Sequence, residues 1–401
     1  MTVSLPDEVL PEILFRLHDA PAALFRCATT CKQWRALVAE LAFLRRCWPA
    51  DQDTPSSSLI GFFTHEHLGH AASSTLCFTP TKRSVLGPGT RTVASIITAA
   101  PADIFDDARP LFSCHGLLLV RLKTHAKDFA VCNFLTGVCH VIPNSDFDGR
   151  KWNGYVILAG ADCRSNDEEP SNSSSLFKVV ILSTHENDNT KYTLHTFSSE
   201  EQSWRVRTGS IHGIGLPIRY MSSSLAVVHR GVAHWLFDFY DQELLCLGVL
   251  NLNMRTGHVS LVKLPFQINQ DVNYRPCLTL AANGALSLLW RQTIGGTKMD
   301  IWEQQPNKGG GSEWVCTRTV ELKLLGKRKN KGRHLRVLGQ SRGTLLVHDT
   351  ILRVYTADLE TGTIEEVVDW PRGGSIILSE KVALESDWPA IFVSRLDTRY
   401  S

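Results

Sequence analysis

No run of about 20 unbroken apolar residues occurs in the chain, which argues against a membrane-crossing helix. The opening stretch MTVSLPDEVLPEIL carries Asp7, Glu8 and Glu12 where a secretory leader needs positive charge, so secretion is not expected. Neither sign of charge is in excess: Lys+Arg is 42 against Asp+Glu 40, a formal net of +2. That balance argues against a protein built to coat nucleic acid, because such domains are strongly basic. None of the 11 cysteines forms Cys-x-x-Cys, and their number is odd. Several of them, such as Cys114, Cys132, Cys246 and Cys277, sit inside apolar runs. They read as buried thiols in a reducing compartment, the cytoplasm and/or nucleus. The sequon Asn172-Ser173-Ser174 then has no consequence. Gly-x-Ser-x-Gly, a Walker loop, Gly-x-Gly-x-x-Gly and a catalytic Cys/His spacing are all missing, so no catalytic residue is assigned and no cofactor is expected.

What is present suffices for a large folded core. The chain has 401 residues, of which 43% are hydrophobic and 20% charged, which excludes general disorder. That length allows two or three domains, or one large repeat domain with an appendage.

The first 48 residues contain no glycine, although the chain has 28, and they are rich in good helix formers. Three short helices are predicted, over about Asp7–Leu17, Ala22–Ala28 and Thr30–Glu40. Val9, Leu10, Ile13, Leu14 and Leu17 fall at helical spacing, and Leu24, Cys27, Cys31, Trp34 and Val38 step by 3, 4, 3 and 4. Domains below about 70 residues rarely bury enough to hold themselves together. This head therefore offers more apolar surface than it can cover, and the surplus must meet the body or another protein. Residues 49–58 (PADQDTPSSS) read as a linker.

From residue 59 onward, short β-branched and aromatic runs alternate with Gly, Asn, Asp, Ser and Pro, the texture of an all-β body. A unit recurs. It begins at Gly116, Gly231 and Gly343, and each copy closes a hairpin with Thr-Gly: Thr136-Gly137, Thr256-Gly257 and Thr361-Gly362. The starts are 115 and 112 residues apart (231 − 116 and 343 − 231), with a unit of a second type in each interval. About 350 body residues in units of about 56 give about six four-stranded units, the arithmetic of a β-propeller. The terminal run AIFVSRL (Ala390–Leu396) reads as a strand that completes a blade with N-terminal strands.

Some motifs have plain readings. In His65-Glu66-His67-Leu68-Gly69-His70, Gly69 stands where His-Glu-x-x-His needs its second histidine, so the run reads as a polar loop and no metal ligand is assigned. The basic run Lys327–His334 reads as a solvated loop, with a nuclear address or an acid-binding patch left open. Asp167-Glu168-Glu169 with Ser171–Ser175 reads as an inert acidic loop. His234, Trp235, Trp290, Arg291, Trp302, Trp314 and Trp370 read mostly as strand residues packing a core.

Leu5-Pro6-Asp7-Glu8, Ile13-Leu14, Leu17, Leu24 and Cys31-Lys32-Gln33-Trp34-Arg35 together resemble an F-box over about residues 3–46. One departure is the stretch Leu17-His18-Asp19-Ala20-Pro21, where the family places Leu-Pro. The phrases Ser113–Leu119, Leu194–Arg205 and Arg230–Leu236 resemble the F-box-associated, kelch-like regions of plant F-box proteins. The expected fold is α+β by segments: a three-helix F-box over 1–48, a linker over 49–58, and a mainly-β, propeller-like domain of about six blades over 59–401. The resemblance implies a non-catalytic substrate-recognition subunit of a Skp–cullin–F-box ubiquitin ligase. Its partners would be a Skp-type adaptor, through it cullin and RING subunits, and a target protein of unknown identity. Leu5, Pro6, Ile13, Leu14, Leu17, Leu24, Cys31 and Trp34 are the adaptor-facing candidates, with packing of the head itself as the alternative for each. No substrate-binding residue is assigned. The competing readings are a propeller scaffold not engaged with a cullin complex, and a propeller enzyme.

Overall fold

In the computed structural model, the described residues are 9–18, 20–48, 59–67, 74–81, 84, 89–123, 129–134, 136–143, 153–159, 176–184, 191–210, 218–221, 226–241, 244–267, 276–281, 284–291, 297–306, 312–324, 335–341, 343–349, 353–367, 381–385 and 388–396. The head holds helices α1 (Val9–Phe15), α2 (Pro21–Ala28), α3 (Lys32–Ala39) and α4 (Leu41–Cys47). Pro21 occupies the first turn of α2, where its missing N–H costs no bond. Cys31 caps α3: its sulfur accepts from the Trp34 N–H at 3.5 Å. Three helices were expected. The third ends as expected where Glu40 leaves the helical region (ψ 125), and Leu41–Cys47 beyond it forms a fourth.

The body is a six-bladed β-propeller, its sheets six in number among the described residues. The second blade, for example, runs Arg109–Cys114, Leu117–Arg121, Phe129–Asn133, Val138–Ile142, each strand antiparallel to the next. The third, fourth and fifth blades follow over 153–210, 218–267 and 277–321. In the sixth (336–366), Lys323–Leu324 adds a short parallel strand on the outside. The first blade joins both ends of the chain: Val382–Glu385 pairs with Leu59–His67, which pairs with Ser74–Pro80 and then Arg91–Thr92. Inner strands lie side by side around the ring; 382–385 contacts 109–114 on one side and 336–341 on the other. Two further short helical segments occur among the described residues, α5 (Val93–Ile96) and α6 (Trp388–Leu396), with a 3-10 turn at Ala102–Phe105.

The repeat spacing of about 115 residues corresponds to two blades, because the recurring unit occupies the second, fourth and sixth. Its Thr-Gly turn is built the same way each time. Gly137, Gly257 and Gly362 have φ of 73, 70 and 73°, the left-handed region that only glycine enters at no steric cost. In each case the glycine N–H donates to the carbonyl four residues back, on Asn133, Asn253 and Asp358. The side chains of those same residues accept from the turn N–H groups, Thr136 onto Asn133, Thr256 onto Asn253 and Thr361 onto Asp358. A side chain mimicking a backbone turn explains why Asn or Asp precedes every one of these hairpins.

Two expectations are corrected. Ala390–Leu396 belongs to helix α6 rather than to a strand, and the ring is closed by Val382–Glu385 instead. Trp388, Phe392 and Leu396 are all buried, a stripe at steps of four that needs a helix; Pro389 falls in its first turn, where no donor is required. His65, Glu66 and His67 lie in a strand paired with Leu76, Thr75 and Ser74, not in a loop. Leu68 to His70 lie outside the described residues.

Candidate functional site: the helical head and its seat on the propeller

The head buries Leu10, Leu14, Leu24, Ala28, Val38, Phe43, Leu44 and Cys47. These side chains do not form a separate core. They are continuous with Phe63, Phe78 and Phe134 of the first two blades and with Trp388, Phe392 and Leu396 of α6. The Phe392 ring meets Phe25 at 5.2 Å and Trp48 at 5.5 Å, and Trp48 also faces Trp388 at 6.5 Å. The Arg35 Nε–H donates to the Leu396 carbonyl at 2.9 Å, a cation on the negative end of α6. Much of the surplus apolar surface is thus covered by the chain's own α6, some 360 residues away in sequence.

Part of it is not covered. Val9 and Ile13, one turn apart on α1, are 41% and 40% exposed, and Leu41 at the start of α4 is 47% exposed. α1 is tied to α4 by the Arg46–Glu12 ion pair at 2.6 Å, and the Arg46 guanidinium sits 4.4 Å over the Phe15 ring. This pins α1 on the core side through Leu10 and Leu14 and leaves Val9 and Ile13 outward.

The eight candidate residues therefore fall in different places. Leu5 and Pro6 lie outside the described residues. Ile13 is exposed; Leu14 and Leu24 are fully buried in the shared core. Leu17 and Trp34 are half-buried against that core, and Cys31 is an exposed cap. Val9 and Leu41 are not among those eight, although Val9 precedes Ile13 by four residues, the spacing that puts them on one face. In the altered connection, the His18 ring stacks on Phe15 at 5.0 Å and its Nδ1 lies 2.9 Å from the Phe15 carbonyl. That contact closes α1 before α2 begins at Pro21.

In the body, Trp235 and Trp314 are buried and Trp290 and Trp302 half-buried, as core packing requires. Gly154 on the third blade lets the Trp235 indole of the fourth lie against its backbone: a Cβ there would meet Trp235 Nε1 at 2.5 Å. His234 is buried, with Nδ1 2.7 Å from Asn251 Oδ1; burial pushes its pKa down to about 4, partly opposed by that hydrogen bond. Lys381, at the start of the ring-closing strand, is buried and pushed down to about 8 by desolvation. Hydrogen bonds from Lys123 and Ser74 hold Asp107 well below the usual carboxylate range. No group of three or more His, Cys, Asp or Glu side chains suited to a metal occurs among the described residues, and no helix among them is long and apolar enough to cross a membrane. The runs Lys327–His334 and Asp167–Ser175, and Trp370, lie outside the described residues.

Comparison with known proteins assigns both parts. A family model described as F-box-like matches residues 2–47, and one described as F-box associated beta propeller domain matches residues 93–332. No curated protein matches the chain. Among solved structures, a puromycin hydrolase S511A mutant complexed with PGG is 11% identical with a TM-score of 0.38, covering 72% of this chain and 42% of that one. A chain of the mitotic checkpoint complex is 11% identical with a TM-score of 0.32, covering 67% of this chain and 79% of that one. This chain thus spans less than half the length of the puromycin hydrolase, and similarity at that level carries no argument about chemistry. The head of short helices, the ring of six sheets and the two family matches lead to one assignment: the chain belongs to the F-box associated beta propeller family, with an F-box-like domain in front of the propeller.

Proposed function

We propose that this chain is the substrate-recognition subunit of a Skp–cullin–F-box ubiquitin ligase. In this reading residues 1–48 dock a Skp-type adaptor, 49–58 link, and 59–401 present a target protein. The chain itself is non-catalytic: it accelerates transfer by holding the target beside a charged conjugating enzyme, which is catalysis by proximity.

The observation that carries the reading is the division of the head into two faces. One is sealed against α6 by Phe25, Trp48 and Arg35. The other leaves Val9, Ile13 and Leu41 facing solvent on a domain too small to waste apolar surface. Exposed apolar side chains next to a rigid core are what a protein partner buries, and a few of them supply most of an interface's energy. Of the earlier candidates, Ile13 is placed to touch an adaptor directly, with Val9 and Leu41 beside it in the proposal. Leu14 and Leu24 act from beneath by holding α1 and α2 in place.

The test is capture of a recombinant Skp-type adaptor by the full-length chain, alone and as Ile13→Asp. The wild type is expected to hold the adaptor at micromolar concentration and the variant to lose it while melting normally. A wild type that stays free of adaptor overturns the reading.

A further inference from the structure

We propose that Cys132 and Cys139 on the second blade form a reversible dithiol–disulfide pair, a modification site for peroxide-class oxidants. The two residues are direct cross-strand partners in the hairpin of Phe129–Asn133 and Val138–Ile142. Their sulfurs lie 3.4 Å apart, with Cys132 as hydrogen-bond donor. Opposite residues in an antiparallel pair have Cα atoms about 4.5 or 5.5 Å apart, and a disulfide spans roughly 4.4–6.8 Å, so closure needs only side-chain motion to bring the sulfurs to about 2.05 Å.

The two thiols divide the work. Cys139 sits on the outermost strand, where Val138, His140 and Val141 face solvent, and is itself only half-buried. Cys132 is fully buried in the core shared by the head and the first two blades. An oxidant therefore reaches Cys139 first, while Cys132 waits within bonding range. The hydrogen bond between them favours this order: it lowers the Cys139 thiol and raises that of Cys132. The thiolate is the nucleophile, so Cys139 attacks and Cys132 resolves.

The chemistry balances with hydrogen peroxide. The Cys139 sulfur attacks one oxygen; the S–O bond forms, the O–O bond breaks, and hydroxide leaves as water after taking a proton. Cys132 then attacks the Cys139 sulfenic sulfur; the S–S bond forms, the S–O bond breaks, and the departing hydroxide takes the Cys132 proton as a second water. Two thiols are oxidised by two electrons while one peroxide is reduced to two waters. A thiol reductant reverses the bond by exchange. Disulfides of this kind in a reducing compartment are transient and sensory rather than structural.

The test uses the full-length chain, titrated with hydrogen peroxide, blocked with an alkylating agent and mapped by peptide mass. The expected result is a Cys132–Cys139 linked peptide, two hydrogens lighter, formed before the exposed Cys31 and Cys316 are modified and removed by dithiothreitol. In Cys132→Ser, Cys139 is expected to proceed to sulfinic acid instead. Absence of the linked peptide while Cys31 and Cys316 oxidise overturns the proposal. A Cys139 fate unchanged by Cys132→Ser does the same.

Discussion

Replacing Phe392 by alanine tests whether the head is seated on the propeller by α6. The ring is 0% exposed and packs against Phe25 and Trp48 at 5.2 and 5.5 Å. Truncating a buried phenylalanine costs about 3–5 kcal/mol, of which each aromatic pair accounts for roughly 0.5–1.5. The loss falls on the junction and not inside a blade, so the head should loosen before the ring opens. Urea denaturation followed by tryptophan fluorescence measures the first effect, and Trp48 and Trp388, both at the junction, report it. Limited proteolysis measures the second, and cleavage between head and body should quicken more than cleavage within the blades. Ile13→Ala is the control: at 40% exposure it should change stability by no more than about 0.5 kcal/mol, even though adaptor capture weakens. If Phe392→Ala melts within about 0.5 kcal/mol of the wild type, or leaves the head as protease-resistant as before, α6 does not hold it.

Gly154→Val drives a branched side chain into Trp235 and should destabilise the third and fourth blades by about 1–3 kcal/mol in chemical denaturation, with the head's proteolysis unchanged. Stability should also fall in acid because of His234. Its folded pKa of about 4 lies below the ordinary histidine value of 6.5, so the folded state favours the neutral ring, and the stability this gives is complete above about pH 6.5 and lost as pH falls toward 4. The loss amounts to about 2 kcal/mol by pH 5, and His234→Asn should flatten that part of the curve. Removing residues 1–48 bares the α6 stripe of Trp388, Phe392 and Leu396, so the truncated propeller should bind more of an apolar dye than the full chain does; dye binding equal in the two refutes it.

The head was legible because glycine is absent and apolar residues recur every three or four positions. Its fourth helix was not: the sequence pattern ends the third helix at about Glu40, but Leu41–Cys47 is a seven-residue run whose helical state is set by packing of Phe43, Leu44 and Cys47 into the shared core. The body was legible for a different reason. The Thr-Gly turns recur at a spacing of two units, which points to about six blades, whereas the Asn or Asp side chain that braces each turn emerges only from the fold. Ala390–Leu396 misled because Ile391 and Val393 are β-branched, while the buried stripe that decides for a helix starts outside the run, at Trp388. Which head residues face outward was illegible in principle. Leu14 and Ile13 are neighbours of equal hydrophobicity, and what separates them is a shared core whose members reach as far along the chain as Trp388, Phe392 and Leu396.

That distance has a bearing on biosynthesis. The strand Val382–Glu385 closes the first blade and α6 seats the head, and both are made only after the five other blades have been translated. A growing polypeptide emerges with its opening helices already translated but without their foundation. The proposed docking face is then finished only once α6 has been made, so a product terminated before it would carry the recognition sequence yet lack the support that shapes it.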